Sequence, residues 1–171
     1  SGISYGTMGS SHHSLEDIAI MRALPNMTIL SPSDPEEVEE VMFAALKHVG
    51  PTYIRLTLKA NPLTYKRDKF KIGKARIVRE GKGAAIIATG EMVGVAMEAS
   101  ELLKKHEIDC YVINMHTLKP IDIEIVNKLS RECKTIVTIE EHSVIGGLGS
   151  AVSSIISQNP KNKARLKIMG F

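Results

Sequence analysis

Residues 84–117, AAIIATGEMVGVAMEASELLKKHEIDCYVINMHT, carry an apolar run at each end and a helical period between them. The runs AAIIATG and DCYVINMHT do not alternate apolar with polar residues, which is the pattern of strands covered on both faces. Between them Val93, Ala96, Met97, Ser100 and Leu103 fall on one face of a helix over 92–106. Strand, helix and strand in this order and length make a parallel crossover. The alternation continues with a helix at 122–133, the strand KTIVTIEEH, a helix at 150–158 and the strand RLKIMGF. Upstream, GKARIVRE adds a strand, set off from AAIIATG by the turn Glu80-Gly81-Lys82-Gly83. Residues 72–171 therefore read as a doubly wound α/β unit.

Residues 1–60 follow the same logic with fewer elements. SLEDIAIMRA, residues 14–23, reads as a helix that Ser14 can cap, with Asp17 in its first turn and Pro25 beyond its end. MTILSP is a short buried strand. SDPEEVEEVMFAALKHV is the best-marked helix: Ser33 or Asp34 caps it, Pro35 opens it, and Glu36 and Glu37 complement its dipole. Val38, Val41, Met42, Ala45, Leu46 and Val49 make one apolar stripe along it. Gly50-Pro51 ends the helix and TYIRLT is the next strand, so this part reads as a piece of a parallel α/β sheet. Between Lys59 and Lys71 the composition turns polar and basic, which places a linker at 61–71.

The chain has 171 residues, 43% hydrophobic and 24% charged, which excludes a disordered or fibrous class. Aromatics are 4% with no Trp, so the core must be aliphatic. Lys59, Lys66, Arg67, Lys69, Lys71 and Lys74 form the densest basic stretch, read as a solvated connector rather than a nucleic-acid patch. Cys110 and Cys133 form no C-x-x-C pair and read as reduced, buried thiols of a cytoplasmic protein. No apolar run approaches the ~18 residues of a membrane span, so no membrane partner is expected. The first residue is Ser rather than Met, so the chain is expected to be a piece of a longer protein.

Two stretches carry candidate chemistry. In SYGTMGSSHHSLED, residues 4–17, His12 and His13 follow Gly6, Gly9, Ser10 and Ser11 and precede a helix start. Amide N–H groups at such an end attract oxyanions, and an imidazole beside them can donate a hydrogen bond or shuttle a proton. The other reading is a polar capping loop whose histidines are merely solvated. No third ligand stands at zinc spacing. In EEHSVIGGLGSAV, residues 140–152, a Gly-rich turn joins a strand to a helix and can cradle phosphate. It is not G-x-G-x-x-G, and close strand–helix packing is the favoured reading. Neither a G-x-S-x-G elbow nor a P-loop is present.

GTMGSSHHSLEDIAIMRALPNMTILSPSD, residues 6–34, resembles the later half of the pyrimidine-binding domain of transketolases and their thiamine-diphosphate relatives. In that family the stretch runs G-E-D-G-P-T-H-Q, a helix with D/E-x-x-A-x-x-R, P-N-M, a strand and P-S-D. Gly6, Gly9, His12, Asp17, Ala19, Arg22, Pro25-Asn26-Met27 and Pro32-Ser33-Asp34 occupy matching places, and GPTYIRL and TIEEHSVIGGLGSAV match further on. The resemblance implies part of the pyrimidine domain over 1–60 and a flavodoxin-like carboxyl-terminal domain over 72–171. It implies two-carbon ketol transfer between sugars or sugar phosphates of pentose phosphate metabolism, with thiamine diphosphate and Mg or Ca in the complete enzyme.

By the same resemblance His12 is catalytic and substrate-binding, and His13 supports substrate binding. Lys59 can supply a charge beside Leu58, which stands where the family has a phosphate-gripping arginine. Met8 replaces a family carboxylate, so a specialised substrate is expected. No cofactor-binding or metal-binding residue of the family falls in this chain. It should therefore need a section or subunit carrying the diphosphate-binding domain, be inactive alone and form a homodimer. A 2-oxoacid dehydrogenase beta subunit, a deoxyxylulose-phosphate synthase and a non-catalytic assembly module are the alternatives.

Overall fold

A computed structural model describes residues 2–57, 65 and 67–171; Leu58, Lys59, Lys66 and linker positions 61–64 lie outside the described residues. In chain order the elements of the first part are α1 (Asp17–Ala23), β1 (Thr28–Leu30), α2 (Pro35–Lys47) and β2 (Thr52–Ile54). The second part has β3 (Arg76–Arg79), β4 (Ala84–Ala88), α3 (Met92–Lys105), β5 (Cys110–Asn114) and β6 (Thr117–Lys119). It ends with α4 (Ile123–Glu132), β7 (Thr135–Ile139), α5 (Leu148–Gln158) and β8 (Arg165–Met169).

The apolar runs form a five-stranded sheet in the order β3-β5-β4-β7-β8, parallel except for β3. Ile86, Ala88, Cys110 and Val112 pack with Val93 and Ala96 of α3 on one face. Ile87, Ile113 and Ile136 pack with Val126, Leu129, Leu148 and Val152 of α4 and α5 on the other. Helices thus cover both faces, as the unalternating strands require. β3 does not pair with β4 across the Glu80–Gly83 turn; it crosses to run antiparallel to β5. Cys110 and Cys133 are free and buried, and burial pushes both thiols up.

DCYVINMHT is not one strand. β5 stops at Asn114, the Met115 N–H donates to Ala88 O at 2.8 Å, and His116 O accepts from the Ser31 N–H at 2.8 Å. The chain then joins a second, three-stranded sheet, β2-β1-β6, in which β1 is parallel to β2 and antiparallel to β6. Ile18 and Ile29 of the first part are fully buried in one cluster with Ile113, Leu118 and Leu148 of the second. Apolar burial at about 25 cal/mol per Å² therefore binds the two parts across a common core.

α2 has the expected start: Pro35 opens it and Asp34 accepts the Glu37 N–H at 2.9 Å. Its stripe is only partly core. Val41 is buried, but Met42, Leu46 and Val49 are 45%, 79% and 97% exposed. The helix turns Glu37 inward instead. That carboxylate is fully buried and accepts from Ser33 N–H (2.8 Å), Asn114 Nδ2 (2.9 Å) and Arg76 Nη1 (2.9 Å). The basic stretch is not wholly solvated either, because Arg67 pairs with Asp34 (2.6 Å) and Glu36 (3.2 Å) and covers the Tyr65 ring.

His116 is buried at the strand exchange, with Phe70 against its ring at 4.4 Å and Thr117 Oγ1 at 2.9 Å from Nδ1. Burial, reinforced by the Arg76 charge, pushes its imidazole down to about 3. The unfolded chain takes up this proton near pH ~6.5, so stability falls as pH drops through the interval between the two values. The expected slope is up to about 1.4 kcal/mol per pH unit. Urea unfolding of His116→Phe across that interval should lack this component relative to the unaltered chain.

Candidate active-site turn and its support

The turn holding the two histidines is closed by main-chain bonds. The Gly2 N–H donates to Ser14 O at 3.1 Å and the Ser14 N–H returns to Gly2 O at 3.0 Å. Between them run two short 3₁₀ turns, Gly6–Met8 and Ser10–His12, joined at Gly9 with φ +70°. Only glycine adopts that junction without strain. The His12 ring is exposed, flanked by Tyr5 at 6.1 Å between ring centroids. Ser11 Oγ donates to Met8 O at 3.3 Å and lies 3.0 Å from His12 Nδ1. One hydroxyl proton cannot serve both, so either Ser11 donates to Met8 O and accepts from Nδ1–H, or it donates to a bare Nδ1. His13 is half-buried, and its Nε2 is shielded from water with no hydrogen-bond partner. Met8 is exposed beside them.

Behind the turn lies a buried ion-pair network. Arg55, at the end of β2, donates from Nε to Asp17 Oδ2 at 2.9 Å, and from Nη2 to Ser14 O at 3.1 Å and Glu141 O at 2.9 Å. Tyr53 OH donates to Asp17 Oδ2 at 2.8 Å. Burial pushes the Asp17 carboxyl up, but the hydrogen bond and charge of Arg55, with the Tyr53 hydrogen bond, outweigh it and hold the group below its ordinary range. Burial and the neighbouring Asp17 push the Tyr53 phenol up to about 12. α1 begins at Asp17 rather than Ser14, because Ser14 is committed to the bridge with Gly2 and Asp17 to Arg55.

The Gly-rich turn is a packing device. Glu140 accepts the Leu148 N–H at 2.6 Å and the Gly149 N–H at 2.8 Å, so a carboxylate already fills the start of α5. Burial pushes Glu140 up, against the lowering effect of those two bonds. A Cβ at Gly147 would collide with Glu140, and one at Gly149 with Ile168. Arg22 donates to Gly146 O and, at 2.9 Å, to Gly147 O, which ties the turn to α1. Among the described residues, no three His, Cys, Asp or Glu side chains gather as a metal site.

The structure thus brings His12 and His13 together and backs them with Arg55, Tyr53 and Asp17. Sequence reasoning missed Arg55 and Tyr53, which lie in the quoted strand TYIRLT. The available signal was an arginine inside an apolar strand, because a buried cation demands a partner. Lys59 lies outside the described residues.

Family comparison matches residues 1–62 to the transketolase pyrimidine binding domain and residues 73–171 to the transketolase C-terminal domain. The chain belongs to the transketolase family. This transketolase-family chain is 42% identical over 170 residues to a Methanocaldococcus jannaschii protein named for a transketolase C-terminal section, covering 98% of the chain and 53% of that protein. It is 39% identical over 167 residues to the 1-deoxy-D-xylulose-5-phosphate synthase of Chlorobium luteolum, covering 95% of the chain and 26% of that enzyme. The solved structure of a split gene transketolase, an inactive beta4 tetramer, superposes with TM-score 0.88 at 38% identity, covering 95% of the chain and 54% of that one. The chain spans about half the length of the first of these relatives and of that structure.

Replacing Arg55 by Met leaves Asp17 buried and unpaired and should destabilise the fold by about 3–5 kcal/mol. Denaturant unfolding measures it. In the unaltered chain, the part of stability that comes from the depressed Asp17 should persist above the ordinary carboxylate range and be lost as pH falls through its folded value.

Proposed function

We propose that the chain is the carboxyl-terminal section of a thiamine-diphosphate-dependent transketolase that moves a two-carbon ketol unit between sugars or sugar phosphates. The observation that carries this reading is the ordered match of the His12 turn, its helix and the Gly-rich turn, in a chain 42% identical to a transketolase section over nearly its whole length. We assign residues 1–60 to the pyrimidine-binding domain, 61–71 to a linker and 72–171 to the carboxyl-terminal domain.

The described residues do not fit the diphosphate and metal end of the cofactor. Glu140 holds the amides a phosphate would need, and no metal cluster forms among them. The reading therefore assigns the cofactor, with its Mg or Ca ion, to another section or subunit, and leaves this chain inactive by itself. Relatives that are sections or products of split genes support that division. The exposed apolar face of α2, with Phe43 and Leu46, supports packing in a larger assembly, which we take to be a cytoplasmic homodimer of complete units.

In this reading His12 works on substrate oxygens. Its exposed ring can accept from a substrate hydroxyl or donate to a developing oxyanion. The half-buried His13 supports that contact, and Lys59 supplies a charge for an anionic group. Met8 offers no carboxylate acceptor, which favours a sugar other than that of ordinary transketolases.

In the assembled enzyme, His12→Ala should lower ketol transfer roughly 100-fold or more, the scale of losing a positioned acid–base or oxyanion donor. Unchanged turnover would remove His12 from the role. A decarboxylating reaction is the second reading, favoured by the 39% identity to a 1-deoxy-D-xylulose-5-phosphate synthase. Carbon dioxide release from pyruvate by the assembled enzyme decides for it; ketol transfer without that release decides for the first.

A further inference from the structure

His142 is a fully buried titratable group that the ketol-transfer reading does not use. It follows the Glu140-Glu141 pair at the exit of β7, on the carboxyl-terminal sheet. Its Nδ1 lies 2.7 Å from Ser143 O, which is only an acceptor, so Nδ1 carries the ring proton. Nε2 then holds a lone pair, and two main-chain donors point at it: the Ile18 N–H at 3.1 Å and the Ala19 N–H at 3.4 Å. Both belong to the first turn of α1, whose amides have no partner inside the helix. The residue in the capping position, Glu16, makes no capping bond, and Ser14 is committed to Gly2. An imidazole from the other sheet fills the place of a capping side chain.

We infer that His142 is a positioning residue: by accepting two main-chain hydrogen bonds across the core, it fixes the start of α1 and the His12 turn that leads into it. The purpose given to that turn rests on the ketol-transfer reading; the capping does not. The neutral ring is the capping form, because only an unprotonated Nε2 can accept the two amides. Asp17 Oδ1 stands 3.9 Å from Nε2 and Glu140 Oε2 stands 3.8 Å from Nδ1, while Arg22 and Arg55 face the same region from α1 and β2. A second ring proton would convert Nε2 from an acceptor of amides into a donor toward Asp17, and the cap would be lost.

Nuclear magnetic resonance of the ¹⁵N-labelled 171-residue chain tests this. The His142 ring should show a proton on Nδ1 and none on Nε2. His142→Phe should speed amide hydrogen exchange at Ile18 and Ala19 roughly tenfold, the scale of losing a helix cap. It should also shift the amide signals of residues 10–14 while leaving those of α4 in place. His142→Gln, whose carbonyl can accept, should restore both. A proton on Nε2, unchanged exchange in His142→Phe, or no rescue by His142→Gln would overturn the inference. If His142→Phe does not fold, the ring tautomer of the unaltered chain decides. None of these readouts involves turnover, so failure to find ketol transfer counts against the functional reading alone.

Discussion

A guanidinium sealed from water between two sheets dictates what surrounds it. Arg55 is almost wholly buried, and burying such a cation costs several kcal/mol unless its donors are engaged. Its bonds to Asp17 and Ser14 O at the start of α1 and to Glu141 O beyond β7 meet that requirement. The start of α1, the end of β2 and the exit of β7 are therefore held in one register. The neighbouring contacts extend the same seam: Tyr53 to Asp17, and Arg22 to the Gly-rich turn. The histidine turn is tied to this framework through its main chain, while the His12 ring stays exposed.

A second polar seam lies on the far side of the small sheet and has the opposite effect on the surface. Arg76 and Asn114 both donate to the buried Glu37 carboxylate, with Glu40 drawn in by Arg76 at 2.7 Å. Charge thus anchors α2 together with the buried Val41, and much of the remaining hydrocarbon of that helix is left on the outside. An apolar stripe in a sequence is commonly read as the buried face. Here a single glutamate points inward, while Met42 and Leu46 of the same helix are exposed.

Most of the fold was legible because apolar periods survive into the structure nearly unchanged. The helix at 92–106 is observed as Met92–Lys105, and that at 122–133 as Ile123–Glu132. The Gly-rich turn was also legible as a packing feature, since its glycines sit where a Cβ would strike Glu140 or Ile168. What failed to show was whatever depends on residues distant in the chain. The beginning of α1 is set by contacts from Arg55 and His142, and the latter lies 124 positions from its hydrogen-bond partner Ile18. Similarly, nothing local in DCYVINMHT tells that its last residues leave one sheet for another. The histidine turn was visible as a Gly/Ser-rich loop before a helix, whereas Arg55 gave no local sign of which carboxylate it would face.

The passage of β6 into the first sheet has a mechanical meaning. Because Thr117 and Lys119 are strand partners of Leu30 and Ile29, the two parts of the chain are not beads on a string. A rotation of one against the other would have to peel strand from strand and open a shared aliphatic core. The exposed side chains of Tyr5, Met8 and His12, by contrast, can move without disturbing that core. The site is built less like a jaw than like a fingertip on a rigid hand.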